Sequence, residues 1–511
     1  VTAPEPRSSP NQAQQALPTL SRVAQDLGAA AYAVGGYVRD RILQRTTSDI
    51  DVLVTRALRE VTERTGLEVK ASVVTLHETQ PTMRLAFPDR SHIDLALPRV
   101  AAVDAGGLAT PEAIVEADLQ ARDFTVNAMA IPLEAADLAD WREHVLDPMG
   151  GLPDLDRRLI RAIDPRVWDN DPIRLWRALR LAAQLGFELE PRTEDGIRQH
   201  AGLAAKPAGE RIRDELFRLL ARADADALIS RAAELGLLFV LAPELAPLQT
   251  LAQGGYHHLD GWRHSLAVVR TIHELTEELP GMPAAYRGKL GHAFARPIAG
   301  DRPRLSMLKF AGLLHDAGKP ATRTVDEQGS VHFYGHEKVS AVMAREVGHR
   351  LRLGRRELHY LEMATRLHMH PALLAQQQEI SRRAAHRFFR KAGAYAPDVL
   401  ILAWADRLSA RGPAATAQHI EQVEYAIRWL LAEWLDSGPL SHPQPPVGAR
   451  AIMRRYDVPP GPEVGRVLRA LTRRHAEQPF MDAESAWAFL DRVVQRSGRS
   501  KPESNDDDAH R

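Results

Sequence analysis

Asp49 and Asp51, in Ser48-Asp49-Ile50-Asp51-Val52-Leu53-Val54, follow a glycine pair in Val34-Gly35-Gly36-Tyr37-Val38-Arg39-Asp40. The apolar run after Ser48 predicts a strand, whose side chains alternate between faces. Ile50, Val52 and Val54 then enter a core and leave two carboxylates about 6–7 Å apart on the other face. Neighbouring acids repel unless a cation lies between them, and hard oxygen ligands suit Mg²⁺, which completes its shell with water and substrate phosphates. A Gly-Gly turn opening a helix offers backbone N–H groups to a triphosphate. Alone, an Asp-x-Asp pair is most often a solvated strand edge and a Gly-Gly pair a turn. Their order here, glycines, helix, polar turn and acidic strand, points to nucleotidyl transfer between two divalent ions. Asp94, in His92-Ile93-Asp94-Leu95-Ala96-Leu97-Pro98-Arg99, lies on a later predicted strand and is the candidate third carboxylate, although an ordinary strand-surface acid reads the same way.

Together, Gly35-Gly36-Tyr37-Val38-Arg39-Asp40 and Ser48-Asp49-Ile50-Asp51 resemble the class II tRNA nucleotidyltransferase (CCA-adding enzyme) and bacterial poly(A) polymerase family. The resemblance implies Asp49 and Asp51 as catalytic Mg²⁺ ligands, Gly35, Gly36 and Arg39 at the nucleotide, and CTP, ATP and the tRNA 3′ end as substrates. Leu119-Gln120-Ala121-Arg122-Asp123-Phe124-Thr125-Val126-Asn127-Ala128 resembles the family's Arg-Arg-Asp-Phe-Thr-Ile-Asn-Ala motif, with Ala121 in place of the first Arg. It implies that Arg122, Asp123 and Asn127 hold sugar and phosphates. The periodicity over 118–130 predicts a helix, with Asp123 and Asn127 one turn apart. Asp147-Pro148-Met149-Gly150-Gly151 matches the family's glycine hinge.

Asp169-Asn170-Asp171-Pro172-Ile173-Arg174-Leu175-Trp176-Arg177-Ala178-Leu179-Arg180 places a proline near a helix start and an arginine every third residue, a band along one side. The stretch resembles the family's Glu-Asp-Pro-Leu-Arg motif. It implies that Asp171 accepts and Arg174 donates hydrogen bonds at the edge of the incoming base. Asn170 replaces the usual Glu. Arg177 and Arg180 reach triphosphate or tRNA backbone, or form a solvated face. Glu210-Arg211-Ile212-Arg213-Asp214-Glu215-Leu216 resembles a helix that organises the neck. Between Val100 and Asp118 there is no Lys or Arg, where many relatives carry a basic loop. CC-only or A-only addition therefore stays open beside full CCA addition, as does poly(A) addition.

A second constellation lies downstream: His264, the pair His315-Asp316 before Ala317-Gly318-Lys319-Pro320, then His336, His368 and Asp406. Imidazole with carboxylate suits Mn, Fe, Ni, Zn or Mg. The pattern resembles the HD phosphohydrolase superfamily, which implies His264, His315, Asp316 and Asp406 as metal ligands, with His336 and His368 as further ligands or phosphate contacts. Hydrolysis of phosphomonoesters or phosphodiesters by a metal-activated water would follow. A chain that is mainly such a hydrolase, its front half an RNA platform, is the remaining alternative.

Length and composition bound the rest. With 511 residues the chain supports several domains, and its 66 basic and 66 acidic side chains balance, so any nucleic-acid contact must come from local placement. Zero cysteines exclude thiolate metal sites. No apolar run approaches the ~20 residues of a membrane span, and the polar start lacks a signal core, so a cytoplasmic protein is expected. The predicted architecture is α+β: a disordered tail over 1–18, a mixed α/β nucleotidyltransferase domain with a central sheet over 19–150, a helical neck over 151–250, an HD domain over 251–436, a basic helical tRNA-binding module over 437–496 and a second tail over 497–511. Pro280 to Pro303 reads as an insertion or long loop. Oligomeric state is left open.

Overall fold

The computed structural model describes residues 10–77, 82–99, 110–255, 258–300, 302–377, 380–412, 416–437, 446–477, 480 and 482–495. Most of the base-poor stretch after Val100, the Pro-rich break near 437–446 and the tails over 1–9 and 497–511 lie outside them. Two compact units divide the chain: Val1–Leu216 with Ala232–Val240, and Phe217–Arg231 with Leu241–Arg511.

In the first unit, six strands form one mixed sheet: β1 (Ala31–Val34), β2 (Asp49–Val54), β3 (Ser72–His77), β4 (Thr82–Ala86), β5 (His92–Ala96) and β6 (Ala130–Pro132), in the order β3-β4-β5-β2-β1-β6. Only β2 and β5 run parallel; the other neighbours are antiparallel. Period-2 burial creates the core, with Ile50, Val52, Leu85, Ile93 and Leu95 almost fully enclosed. The helix Gln12–Asp26 packs against the helix Leu58–Val69. Its presence corrects the expected tail from residue 12 to residue 18. Ala13, Ala16, Leu17 and Leu20 bury one helical stripe that the Gln-rich composition disguises. Asn11 caps the helix, while Asp89 and Ser91 accept the N–H groups of Gln12 and Ala13.

A second correction concerns 118–130. The helix Pro111–Gln120 stops there, and a single 3₁₀ turn over Thr125–Asn127 leads into β6. Asp123 turns inward beside this break instead of standing on a helix face.

The second unit is almost wholly helical. Helices Gly261–Glu277, Arg304–Leu314, His336–Arg350, Arg355–Leu367 and Ala396–Ser409 pack around one core. Their apolar faces meet closely: a Cβ on Gly312 would lie 2.6 Å from Ile272 Cδ1. The expected loop from Pro280 to Pro303 contains the helix Ala284–Ala295, entered from Pro283 and anchored through Tyr286, Leu290 and Phe294. Flanking Gly and Pro hid its apolar spacing. Helices Ala449–Tyr456, Pro462–Glu477 and Ala483–Gln495 share a small core of Ile452, Val467, Leu471, Ala486 and Leu490. Among the described residues, no helix is long and apolar enough to cross a membrane.

Candidate active site and metal centre

Parallel pairing of β2 with β5 sets Asp49 opposite His92 and Asp51 opposite Asp94. All four therefore share one face of the sheet, and both acids of β2 are exposed while Ile50 and Val52 between and beyond them are buried. The acid pair is neither splayed by the strand nor sealed under apolar packing. Although Asp51 is exposed by area, neighbouring protein atoms crowd its carboxyl and push its pKa up; Asp49 and Asp94 add to the shift, and Arg122 opposes it. Crowded like charges of this kind fit an incoming divalent cation, whose binding weakens as pH falls through the raised pKa.

Gly35 makes the arrangement possible. At φ 68° and ψ −126° it caps the short helix Gly36–Ile42 in a conformation that L side chains rarely adopt. A Cβ there would lie 2.7 Å from Arg122 Nη1 and 3.9 Å from Asp51 Oδ2. Arg122 is steadied by buried Asp118, whose Oδ2 accepts from Nε and Nη2 at 3.2 Å. Its Nη1 donates to Asn127 O at 3.4 Å. Gly35→Ala should therefore fold with a displaced Arg122, and nucleotide affinity should fall by about tenfold or more, as loss of a charge-assisted contact implies. Nucleotide titration against the wild type reads this directly.

Arg39 differs from the expected nucleotide contact. Its side chain is buried and its Nη1 donates to Asn127 Oδ1 at 2.5 Å, with Asp40 accepting from Nε and Nη2. Asp123 is also buried, accepting from Arg177 Nη1 at 2.9 Å and Asn127 Nδ2 at 3.4 Å. Burial pushes the Asp123 carboxyl up, but the Arg177 ion pair outweighs it and holds the carboxyl below the usual range. Asn127 thus links the buried Arg39 to the buried Asp123.

Past Pro172 the helix Ile173–Leu185 begins, and Gly186 ends it in the left-handed region. The arginine band is real, but its members differ. Arg177 reaches Asp123 and Glu215, and Arg180 pairs with Glu215. Arg174 makes one long hydrogen bond, Nη2 to Ala121 O at 3.4 Å, and its buried Nε has no partner. Burial lowers its pKa, with Asp123 and Asp171 opposing. Asp171 does not pair with Arg174; it takes a two-point contact from Arg211, at 2.9 and 2.7 Å. Arg84 likewise clamps both oxygens of Asp94, at 2.6 and 2.7 Å. Sequence reasoning missed Arg84, His92, Asp118 and Glu215 and gave Arg211 no partner, because each acts through a pairing between elements.

In the helical unit, His264, His315, Asp316, His336, His368 and Asp406 converge. His264 Nε2 lies 3.0 Å from Asp406 Oδ1 and 3.5 Å from Asp316 Oδ2, and His336 Nε2 lies 3.3 Å from Asp316 Oδ1. His315, His336 and His368 each place Nδ1 against a carbonyl three residues back, at 2.6–2.8 Å, so Nδ1–H donates and Nε2 faces the centre. His315 Nε2 is buried without a hydrogen bond, although Asp316 Oδ2 lies 3.2 Å away. Two facing lone pairs require a proton or a cation between them. Burial opposes charge on His315, yet Asp316 and Asp406 outweigh it and push its pKa up to about 10. Burial, with His315 and His336 alongside, pushes His368 down to about 3. Ligand atoms of His264, His315 and Asp406 fall within 4.8 Å of one another, as do those of His315, Asp316 and His368. The donor set fits a divalent metal. Lys319 Nζ, 2.6 Å from Asp316 Oδ2, was not expected there.

Known proteins share these parts. Residues 31–161 match the family described as Poly A polymerase head domain, 186–249 the Probable RNA and SrmB- binding site of polymerase A, and 261–411 the HD domain. Fold and acid strand thus define a nucleotidyltransferase joined to an HD domain. An A-adding tRNA nucleotidyltransferase of Deinococcus radiodurans is 35% identical over 389 residues, 75% of this chain and 80% of that protein. A CC-adding tRNA nucleotidyltransferase of Thermus thermophilus is 32% identical over 489 residues, 94% and 96% of the two chains. The fold is also that of the Thermotoga maritima CCA-adding enzyme complexed with tRNA (TM-score 0.59, 19% identity, 96% and 97% covered) and of a CCA-adding enzyme solved with ATP (TM-score 0.62, 18% identity, 97% of each chain). The chain belongs to the tRNA nucleotidyltransferase family with an HD domain, and it is an enzyme.

Proposed function

We propose that this enzyme adds C and A nucleotides to the 3′ end of tRNA from CTP and ATP, without a nucleic-acid template, in the cytoplasm. The observation that carries the reading is the exposed acid pair of β2 beside Arg122, with Gly35 leaving room between them. Asp49 and Asp51 would hold Mg²⁺, which activates the RNA hydroxyl and neutralises the triphosphate. Arg122 meets phosphate charge, Asp118 keeps it aimed, and Asp94 with Arg84 closes the third side. Asp171 and Arg174 present an acceptor and a donor to the base, and Arg211 holds the Asp171 carboxylate in one orientation. The catalytic region is 19–150, with a neck over 151–250, an HD domain over 251–436 and a tRNA-binding module over 437–496.

Arg174 has no acid of its own, so its guanidinium is free to meet a base. Arg174→Ala should reduce discrimination of CTP and ATP against UTP and GTP by about 10–200-fold, the worth of roughly 1–3 kcal/mol of recognition. Competition between labelled nucleotides on truncated tRNA measures it; unchanged selectivity would remove the base-template role.

Partial addition is the second reading, favoured by relatives that are A-adding or CC-adding, by Asn170 and by the base-poor stretch after Val100. Incorporation of only one of the two nucleotides would establish it. In the helical unit, His264, His315, Asp316 and Asp406 would hold a second ion of the Mn, Fe, Ni, Zn or Mg group and support phosphoester hydrolysis, His336 and His368 completing the shell or meeting phosphate.

A further inference from the structure

The catalytic face carries an imidazole to which the two-acid account gives no role. His92 opens β5, two residues before Asp94, and its backbone N–H donates to Ser48 O at 3.0 Å. Parallel register sets it opposite Asp49, and its Nε2 touches Asp49 Oδ1. The two side chains differ in freedom: His92 is 21% exposed and Asp49 67%. The imidazole is packed in place, while the carboxylate is free to turn toward an ion. One ligand atom from each of Asp49, His92 and Asp94 falls within 4.8 Å of the other two. Adjacent and opposite ligands of an octahedral ion lie about 3 and about 4.2 Å apart, within the spread of these three atoms. Asp94 is the least available of the three, because Arg84 occupies both its oxygens.

We propose that His92 ligates the ion held by Asp49, which raises the affinity of the nucleotidyl-transfer site for Mn²⁺ and Co²⁺ relative to Mg²⁺ beyond that of an all-oxygen site. The inference rests on the reading of Asp49 and Asp51 as metal ligands. Mg²⁺ favours oxygen donors and gives up water reluctantly, whereas a nitrogen ligand favours the transition ions, whose affinities rise along the first row.

The test compares full-length wild type with His92→Gln, which keeps a polar side chain and removes the imidazole. Each is loaded with Mn²⁺ and its nitrogen couplings are read by electron spin echo modulation. The histidines of the HD domain contribute equally to both proteins, so the difference reports His92. Affinities for Mn²⁺ and Mg²⁺ are then measured by competition. The expected result is loss of one class of imidazole coupling, a fall of about tenfold in Mn²⁺ affinity with a smaller fall for Mg²⁺, and a matching drop in the Mn²⁺-to-Mg²⁺ ratio of nucleotide incorporation. Unchanged couplings, or equal losses for both ions, would overturn the proposal and leave His92 as a group that only orients Asp49. Failure of the underlying reading looks different: Asp49→Ala would then retain nucleotide addition whatever His92 does.

Discussion

Asp51→Asn is expected to abolish nucleotide addition, lowering the rate by about 10³-fold or more. That corresponds to roughly 4 kcal/mol of lost transition-state stabilisation, within what paired divalent ions supply in such reactions. The substitution keeps the side chain's size and removes its charge, at an exposed position where β2 is held by its buried partners Ile50, Val52 and Val54. Folding should therefore be preserved, because an amide removes both the cost of crowding a charged carboxylate and its repulsion from Asp49 and Asp94. Thermal unfolding unchanged or slightly raised, together with lost incorporation of labelled CTP and ATP, would separate a chemical defect from a structural one. Retained incorporation would mean that Asp51 holds no ion.

On the proposed phosphoesterase reading of the HD domain, Asp406→Asn should lower that hydrolysis by about 10³-fold while nucleotide addition continues. Asp406 is the better target of the two carboxylates. Asp316 is almost fully buried and meets Lys319 Nζ at 2.6 Å, so removing it would leave a buried ammonium with only the neutral Gln253 Oε1 at 2.6 Å. Asp406 is 20% exposed and faces His264 and His315 at 3.0 and 3.8 Å. An amide there loses the charge that complements the metal while keeping a hydrogen-bond acceptor for His264. Release of phosphate from a small phosphoester, measured beside bound metal, tests this; loss of bound metal without loss of hydrolysis would place the chemistry elsewhere.

The acidic strand was legible because its signal is local. Alternation over Asp49–Val52 gives each residue a face, and the glycine pair upstream sets the helix that follows. The histidine cluster was legible at one point for a related reason, since His315-Asp316 directly follow the helix Arg304–Leu314 and precede Gly318 and Pro320. Pairings between elements were not legible. Arg84 meets Asp94 only through the register of β4 on β5, and Arg211 meets Asp171 across 40 residues of chain. No propensity encodes either contact. The arginine band shows the limit in one helix: equal spacing placed Arg174, Arg177 and Arg180 on a common side, yet Glu215 and Asp123 engage the last two and leave the first. Composition misled where apolar stripes were thin, in the helices Gln12–Asp26 and Ala284–Ala295.

The most direct measurement uses tRNA transcripts lacking all or part of the terminal CCA, each incubated with one labelled nucleoside triphosphate and a divalent ion. Wild-type protein should extend them with C, with A or with both, depending on the end supplied, and Asp49→Ala should extend none. Incorporation by Asp49→Ala at the wild-type rate would contradict the claim that the acid pair of β2 is where nucleotides are joined to RNA.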